Sequence, residues 1–184
     1  MSLDSFRIER TIQCCAFLLR REPDRRMSIL RLLSLLYIAE RELMLESNYW
    51  LTGSNATPNE RGPRLERVYE LIHGHSCGTA RWAEHFRTCN YWVQMTNDPD
   101  VGHLSRCISN KLEDVARRHE YSDDWLIAKI CSQLPEAVSD KERRHITIEE
   151  RMECLGMTDT EKDSFREMLE MERSNREFFG PESS

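Results

Sequence analysis

A chain of 184 residues that is 39% hydrophobic has enough apolar mass for one packed domain with its own core. Seven Gly and six Pro are too few for a loop-rich all-β architecture, and 32% charged residues suit helices with solvated outer faces. The net charge of −6 is uneven: residues 1–97 hold 13 Arg and 11 acids, and 98–184 hold 13 Lys or Arg and 21 acids. That acidic half disfavours general phosphate binding and suits either a basic protein partner or a solvated helix face.

No apolar run is long enough to cross a bilayer, and Arg7, Glu9 and Arg10 interrupt any signal-peptide core, so a cytoplasmic protein without membrane association is expected. Seven cysteines (Cys14, Cys15, Cys77, Cys89, Cys107, Cys131 and Cys154) are an odd, scattered set without a CxxC pair. They read as reduced thiols packing as small hydrophobes.

Ile8, Ile12, Cys15 and Leu19 recur at helical spacing, predicting an amphipathic helix over about 5–21 that ends near Pro23. Ser28 is placed to cap the next helix, which runs to about Ser47. Leu32, Leu33, Leu35, Leu36, Tyr37 and Ile38 cover most of its circumference, the mark of a buried central helix. The loop at about 48–61 contains Trp50 and leaves room for a short hairpin, although Pro58 weakens any strand there. Gly62 permits a sharp turn, and Pro63 suits the first position of a helix over Arg64 to Ile72, closed by Gly74.

Thr79 to Thr96 reads as one further helix with Trp82, Phe86 and Val93 inward, and Asp98-Pro99 as the start of another reaching about Arg118. Ser122 or Asp123 caps a short helix to Cys131, closed by Pro135. Two capping boxes, Thr147 with Glu150 and Thr158 with Glu161, start the last two helices; the first stops at Gly156 and the second reaches about Arg176. The expected fold is an all-α domain around a buried central helix, with at most one small β-hairpin. It forms a single unit over 1–180 and frays from Gly180 to Ser184.

Chemistry-bearing residues are sparse. His73, His75, Cys77, His85 and Cys89 offer imidazole and thiolate ligands, with His85 and Cys89 four apart on a predicted helix face. Their spacing matches no standard zinc pattern, and packed thiols with hydrogen-bonded imidazoles are the competing reading. No G-x-S-x-G, P-loop or H-E-x-x-H occurs, and adjacent acids at helix starts complement the helix dipole, so neither catalysis nor a cofactor is indicated. Arg61, Arg64 and Arg67 could engage an acidic partner or phosphates, or pair with Glu60, Glu66 and Glu70 as an exposed face. Trp50, with Tyr49 and Tyr69 nearby, is the other candidate contact, because aromatics and Arg beside an irregular loop are the usual material of binding hot spots. A loop aromatic tucked into the core is the alternative. These residues alone reach a soluble helical domain whose default role is protein interaction.

The order Leu35-Leu36-Tyr37-Ile38-Ala39-Glu40, Thr52-Gly53, Gly62-Pro63, Val68-Tyr69 and, more weakly, Leu134-Pro135-Glu136 resembles the Panacea antitoxin domain, also called the SocA-like or phage-associated protein family. The resemblance covers nearly the whole chain. Departures fall at Ser34, where a Lys is frequent, at Glu40 in place of Asp, and near Ser132 and Ala137, where the family often carries His and Trp. The resemblance implies the antitoxin half of a toxin–antitoxin pair, neutralising a toxin encoded nearby by direct protein contact, with a prophage or anti-phage association. The loop 48–61 and its flanking helices, through Trp50, Arg61, Arg64 and Arg67, are then the expected contact surface, and self-association stays open. A promoter-binding regulator and a zinc protein built on the His73–Cys89 cluster are the alternatives, and the overall acidity makes nucleic acid the least expected partner.

Overall fold

The computed structural model describes residues 6–100, 102, 104–138 and 145–179. The fraying expected of Gly180 to Ser184 lies outside them. Helix α1 (Ile8–Leu19) leads through a 3-10 turn at Pro23–Arg25 into strand β1 (Arg26–Ser28) and the long α2 (Ile29–Ser47). Then come β2 (Ala56–Thr57), β3 (Arg64–Leu65), α3 (Glu66–Ile72), α4 (Thr79–His85), β4 (Phe86–Cys89) and β5 (Trp92–Met95). Helices α5 (Arg106–Arg118), α6 (Asp124–Ser132), α7 (Pro135–Val138), α8 (Ile148–Cys154) and α9 (Asp159–Phe179) complete the described chain.

The central helix is α2. Ser28 caps it by accepting from the Arg31 N–H at 3.0 Å, and Asn48, in the left-handed region, ends it. Leu32, Leu35, Leu36, Tyr37, Ala39 and Leu43 are all buried, and α1, α5 and α6 pack around them. A second, smaller cluster of Met44, Trp50, Met152, Met157 and Phe165 closes the C-terminal end of α2. Helix α9 is tied to α1 by ion pairs from Arg7 and Arg10 to Glu172. Among the described residues no helix is long and apolar enough to cross a membrane.

The fold is mostly helical but not all-α, because residues 79–96 are not one helix. Helix α4 stops at His85, and the chain turns back on itself as the antiparallel β4–β5 hairpin through Asn90, whose φ of 51° is left-handed. Phe86 and Val93 are buried as expected, but by alternation across the pleat: Phe86 faces Met95 and Thr88 faces Val93. Strand β1 joins the other side of β5, giving the order β1-β5-β4 and pairing Arg26 with Gln94 and Ser28 with Trp92. The solvent side of this sheet carries Arg26, Arg87, Cys89, Trp92 and Gln94, all exposed.

The hairpin left open around 48–61 is β2–β3, which pairs Ala56 with Leu65 and encloses Gly62-Pro63. Pro63 therefore does not start α3, and Arg64 lies in β3. The helix begins at Glu66 because the preceding loop supplies its acceptors: Asn55 O takes the Glu66 N–H at 2.9 Å and Ser54 Oγ the Arg67 N–H at 3.0 Å. The helix expected from Asp98-Pro99 begins only at Arg106, capped by Ser105. Asp98 is instead engaged by the Arg20 guanidinium and by the Asp100 N–H. Asp123 caps α6, and the capping boxes at Thr147–Glu150 and Thr158–Glu161 are both formed.

Gly62 is the tightest backbone position. Its φ is +102°, and a Cβ there would lie 2.4 Å from Cys131 Cβ and 2.8 Å from Cys131 C on α6. Gly156 also has a positive φ, of +70°, but nothing lies within 4 Å of a Cβ there. Gly62→Ala is expected to cost about 2–4 kcal/mol, strain and overpacking together, against about 1 kcal/mol for Gly156→Ala. Urea denaturation of the two variants checks this, and equal losses would contradict it. The thiols separate in the same way. Burial raises the pKa of Cys14 to about 12 and of Cys131 to about 11, and carries Cys15 well above its ordinary value, whereas Cys77, Cys89 and Cys107 are exposed. A thiol reagent at neutral pH should label the exposed three in the native protein and reach the buried three only in denaturant.

Candidate interaction surface

Two arrangements distinguish this molecule, one buried and one exposed. The buried one starts from α2, where Tyr37, Glu40 and Arg41 share one face at three- and four-residue spacing. The Arg151 guanidinium of α8 donates to Glu40 Oε1 at 2.7 Å. The other oxygen, Oε2, accepts the Thr52 N–H at 2.7 Å and the Thr52 hydroxyl. Glu136 of α7 accepts the Tyr37 hydroxyl at 3.0 Å and Arg41 Nε at 2.7 Å. Glu40, Tyr37, Glu136, Thr52 and Arg151 are all essentially inaccessible to solvent.

Burial would push the Arg151 guanidinium toward a lower pKa, but Tyr37 and Glu40 beside it carry it above its ordinary value. Burial chiefly raises the Tyr37 phenol. Among the described residues Arg151 Nε and Nη2 find no hydrogen-bond partner; instead the guanidinium carbon lies 5.0 Å from the Tyr37 ring centroid. Both oxygens of Glu40 are occupied, and the network joins four segments of the chain. Four of its members, Tyr37, Glu40, Thr52 and Glu136, fall within the motif order that carries the Panacea resemblance. Gly53 beside them takes a left-handed φ of 67°, and Leu35, Leu36, Ala39 and Val68 fill the adjoining core. Leu134 packs partly against that core, while Pro135 opens α7. Ser34 and Ala137 are buried, and Ser132 donates to the Lys129 carbonyl.

The predicted contact residues do not share one surface. Trp50 is only 7% exposed and belongs to the apolar cluster under α8 and α9, so it is a core residue rather than an accessible contact. The three arginines part company because Arg64 is in a strand and not one helical turn from Arg67. Arg64 stacks on Tyr69 at 4.1 Å, Arg67 lies over Phe6 at 5.4 Å and 3.8 Å from Glu70, and Arg61 lies over Trp125 of α6 at 4.9 Å. Nor do the weak metal candidates converge. Residues 86–89 are a strand, so Cys89 does not follow His85 on a helix face. His73 is held by the Tyr69 carbonyl and His85 by the Asn97 carbonyl, while His75, Cys77 and Cys89 are exposed. Among the described residues no three His, Cys, Asp or Glu gather as a metal would need.

The exposed arrangement is centred on α6. Its inner face, Ile127, Ala128 and Cys131, packs on α2, and its outer face presents Trp125, Leu126, Lys129 and Ile130 to solvent. Trp125 is 65% exposed, and Tyr121 just before the helix is 94% exposed. The close seat of Gly62 against Cys131 is what brings Arg61 over Trp125. The nearby acids are already engaged: Asp123 caps the helix, and Asp124 accepts from Ser28 Oγ at 2.5 Å. On the other side of Ser28 lie Tyr91 and Trp92, both exposed, with Arg26 stacked over Trp92 at 4.4 Å. The signal for this surface was present in the sequence: Asp124–Ser132 carries more apolar side chains than one buried helix face can absorb.

No family model matches the chain, and no curated protein or solved structure is detectably similar to it. The resemblance to the Panacea domain therefore rests on the motif residues and their order.

Glu40→Gln leaves the buried Arg151 charge without its counter-ion and is expected to cost about 3–5 kcal/mol, whereas Glu40→Gln with Arg151→Met recovers most of that. Denaturation midpoints of the two variants decide the matter; a single variant as stable as the parent would show that the pair does not hold α8 in place.

Proposed function

We propose that this chain is the antitoxin of a toxin–antitoxin pair, a non-catalytic cytoplasmic protein that neutralises a cognate toxin by direct contact. The motif order that resembles the Panacea domain supplies the class of function. The observation that carries the mode of action is the outer face of α6, where Trp125, Leu126 and Ile130 lie open beside Tyr121 with Arg61 stacked on the indole. Aromatic and Arg side chains around an apolar patch are the composition of hot spots at protein interfaces. The contact thus moves from the loop at 48–61, whose Trp50 is buried, to the helix against which Arg61 of that loop is seated. A regulator that reads DNA would want basic and amide side chains on its exposed helix, and this face is apolar instead.

Expression of the neighbouring open reading frame should arrest growth, co-expression of this chain should relieve the arrest, and the two proteins should co-purify. Trp125→Ala should weaken the complex by about 2 kcal/mol or more while leaving the helical circular dichroism unchanged, because the side chain is mostly outside the core. Full rescue and undiminished affinity in that variant would place the contact elsewhere; a neighbour without toxicity would remove the antitoxin reading itself.

A further inference from the structure

Two arginine–tryptophan stacks flank Ser28. Arg26 lies over Trp92 on one side, and Arg61 lies over Trp125 on the other. Ser28 connects them, pairing with Trp92 in the sheet and donating to Asp124, the residue before Trp125. Arg20, Arg21, Arg31, Arg41 and Arg81 all reach a carboxylate. Among the described residues Arg26 and Arg61 have none. A guanidinium stacked on an indole keeps the N–H donors around its edge free and pointing away from the ring, so each stack is a pre-positioned receptor for a carboxylate.

The matching chemistry lies on α9. Its inner side is held by Phe165, Met168, Leu169 and Glu172. Its outer side carries a second stripe at helical spacing: Glu167, Glu170, Met171, Ser174, Asn175 and Phe178, all exposed, with Met171 at 67% and Phe178 at 87%. Neither Glu167 nor Glu170 has an ion pair among the described residues. Two free carboxylates beside two open apolar side chains complement two free guanidinium groups beside two indoles, in both charge and apolar character.

Among the described residues no ion pair joins these surfaces within one molecule. The stacks sit at Ser28, the cap that begins α2, whereas α9 packs through Phe165 on the cluster of Met44 at the other end. From Ser28 to Met44 the helix rises roughly 24 Å. We propose that two copies of this chain associate reciprocally, the outer stripe of α9 in each docking on the Arg26–Trp92 and Arg61–Trp125 stacks of the other. Because the two surfaces lie at opposite ends of α2, an antiparallel pair satisfies both contacts at once. Reciprocity also closes the assembly about a twofold axis and doubles the surface that is buried. The association stands independently of the toxin reading; where both hold, the toxin and the second copy compete for Trp125.

Sedimentation velocity on the full chain should show a monomer–dimer equilibrium that tightens as salt is lowered. The pairs Arg26→Glu with Arg61→Glu, and Glu167→Arg with Glu170→Arg, should each raise the dissociation constant about a hundredfold, through like charges set face to face, with unchanged circular dichroism. Mixing the two charge-reversed proteins should restore dimer, because both contacts of the mixed pair are again complementary. A chain that stays monomeric at every concentration overturns the proposal, as does a reversed variant that dimerises like the parent or a mixture that fails to recover.

Discussion

The Glu40–Arg151 pair is the interaction on which the arrangement of the rest depends. It joins residues separated by 111 positions, and it does so where neither side chain reaches water. A carboxylate placed on the buried side of the central helix commits the fold to delivering a cation and enough N–H and O–H donors to that depth. The chain answers with Thr52, whose backbone and hydroxyl both donate to one oxygen, and with Arg151 on the other. Any alternative packing of α8 or of the loop after α2 leaves a buried charge exposed to nothing but hydrocarbon. Such a pair adds less to net stability than apolar residues of the same volume would, but it penalises wrong arrangements severely.

Around that pair the interior is conventional. Helix α2 is wrapped by α1, α5 and α6, and the small sheet closes its N-terminal end. Helices α8 and α9 close the other end through Met152, Met157 and Phe165. The two ends differ in what they offer the solvent. One carries arginines stacked on indoles and an apolar helix face; the other carries a long helix with a charged and apolar outer stripe.

How much of this was legible in the sequence divides along a physical line. Helix α2 and its Ser28 cap, the Asp123 cap and both capping boxes were legible because their signals are local: periodicity of apolar side chains, and a hydroxyl or carboxylate three residues from the N–H it accepts. The β4–β5 hairpin was missed because Trp82, Phe86 and Val93 fit a helical period almost as well as a pleated one, and the turn carries no glycine to announce itself. Pro63 misled for a similar reason. It is compatible with a helix start, but the acceptors that decide where α3 begins come from Ser54 and Asn55. Trp50 lies inside, as the alternative of a loop aromatic tucked into the core allowed, and the Arg151 charge lies as deep. Partners distant in the chain decide both placements, and no window of sequence contains them. The surplus of apolar side chains in Asp124–Ser132 was readable all along, since a helix needs only one such face to be buried.

The seat of Gly62 on α6 also bears on how this surface can change over generations. The helix is fastened from within, by Ile127, Ala128 and Cys131 and by a backbone contact that only glycine permits. Its outward residues bear none of that load. Replacing Trp125, Leu126 or Ile130 alters the chemistry of that face with little demand on the interior. The face can therefore drift by single substitutions while the scaffold stays still. A lineage built this way can remake its outer surface one side chain at a time, never passing through an unfolded ancestor.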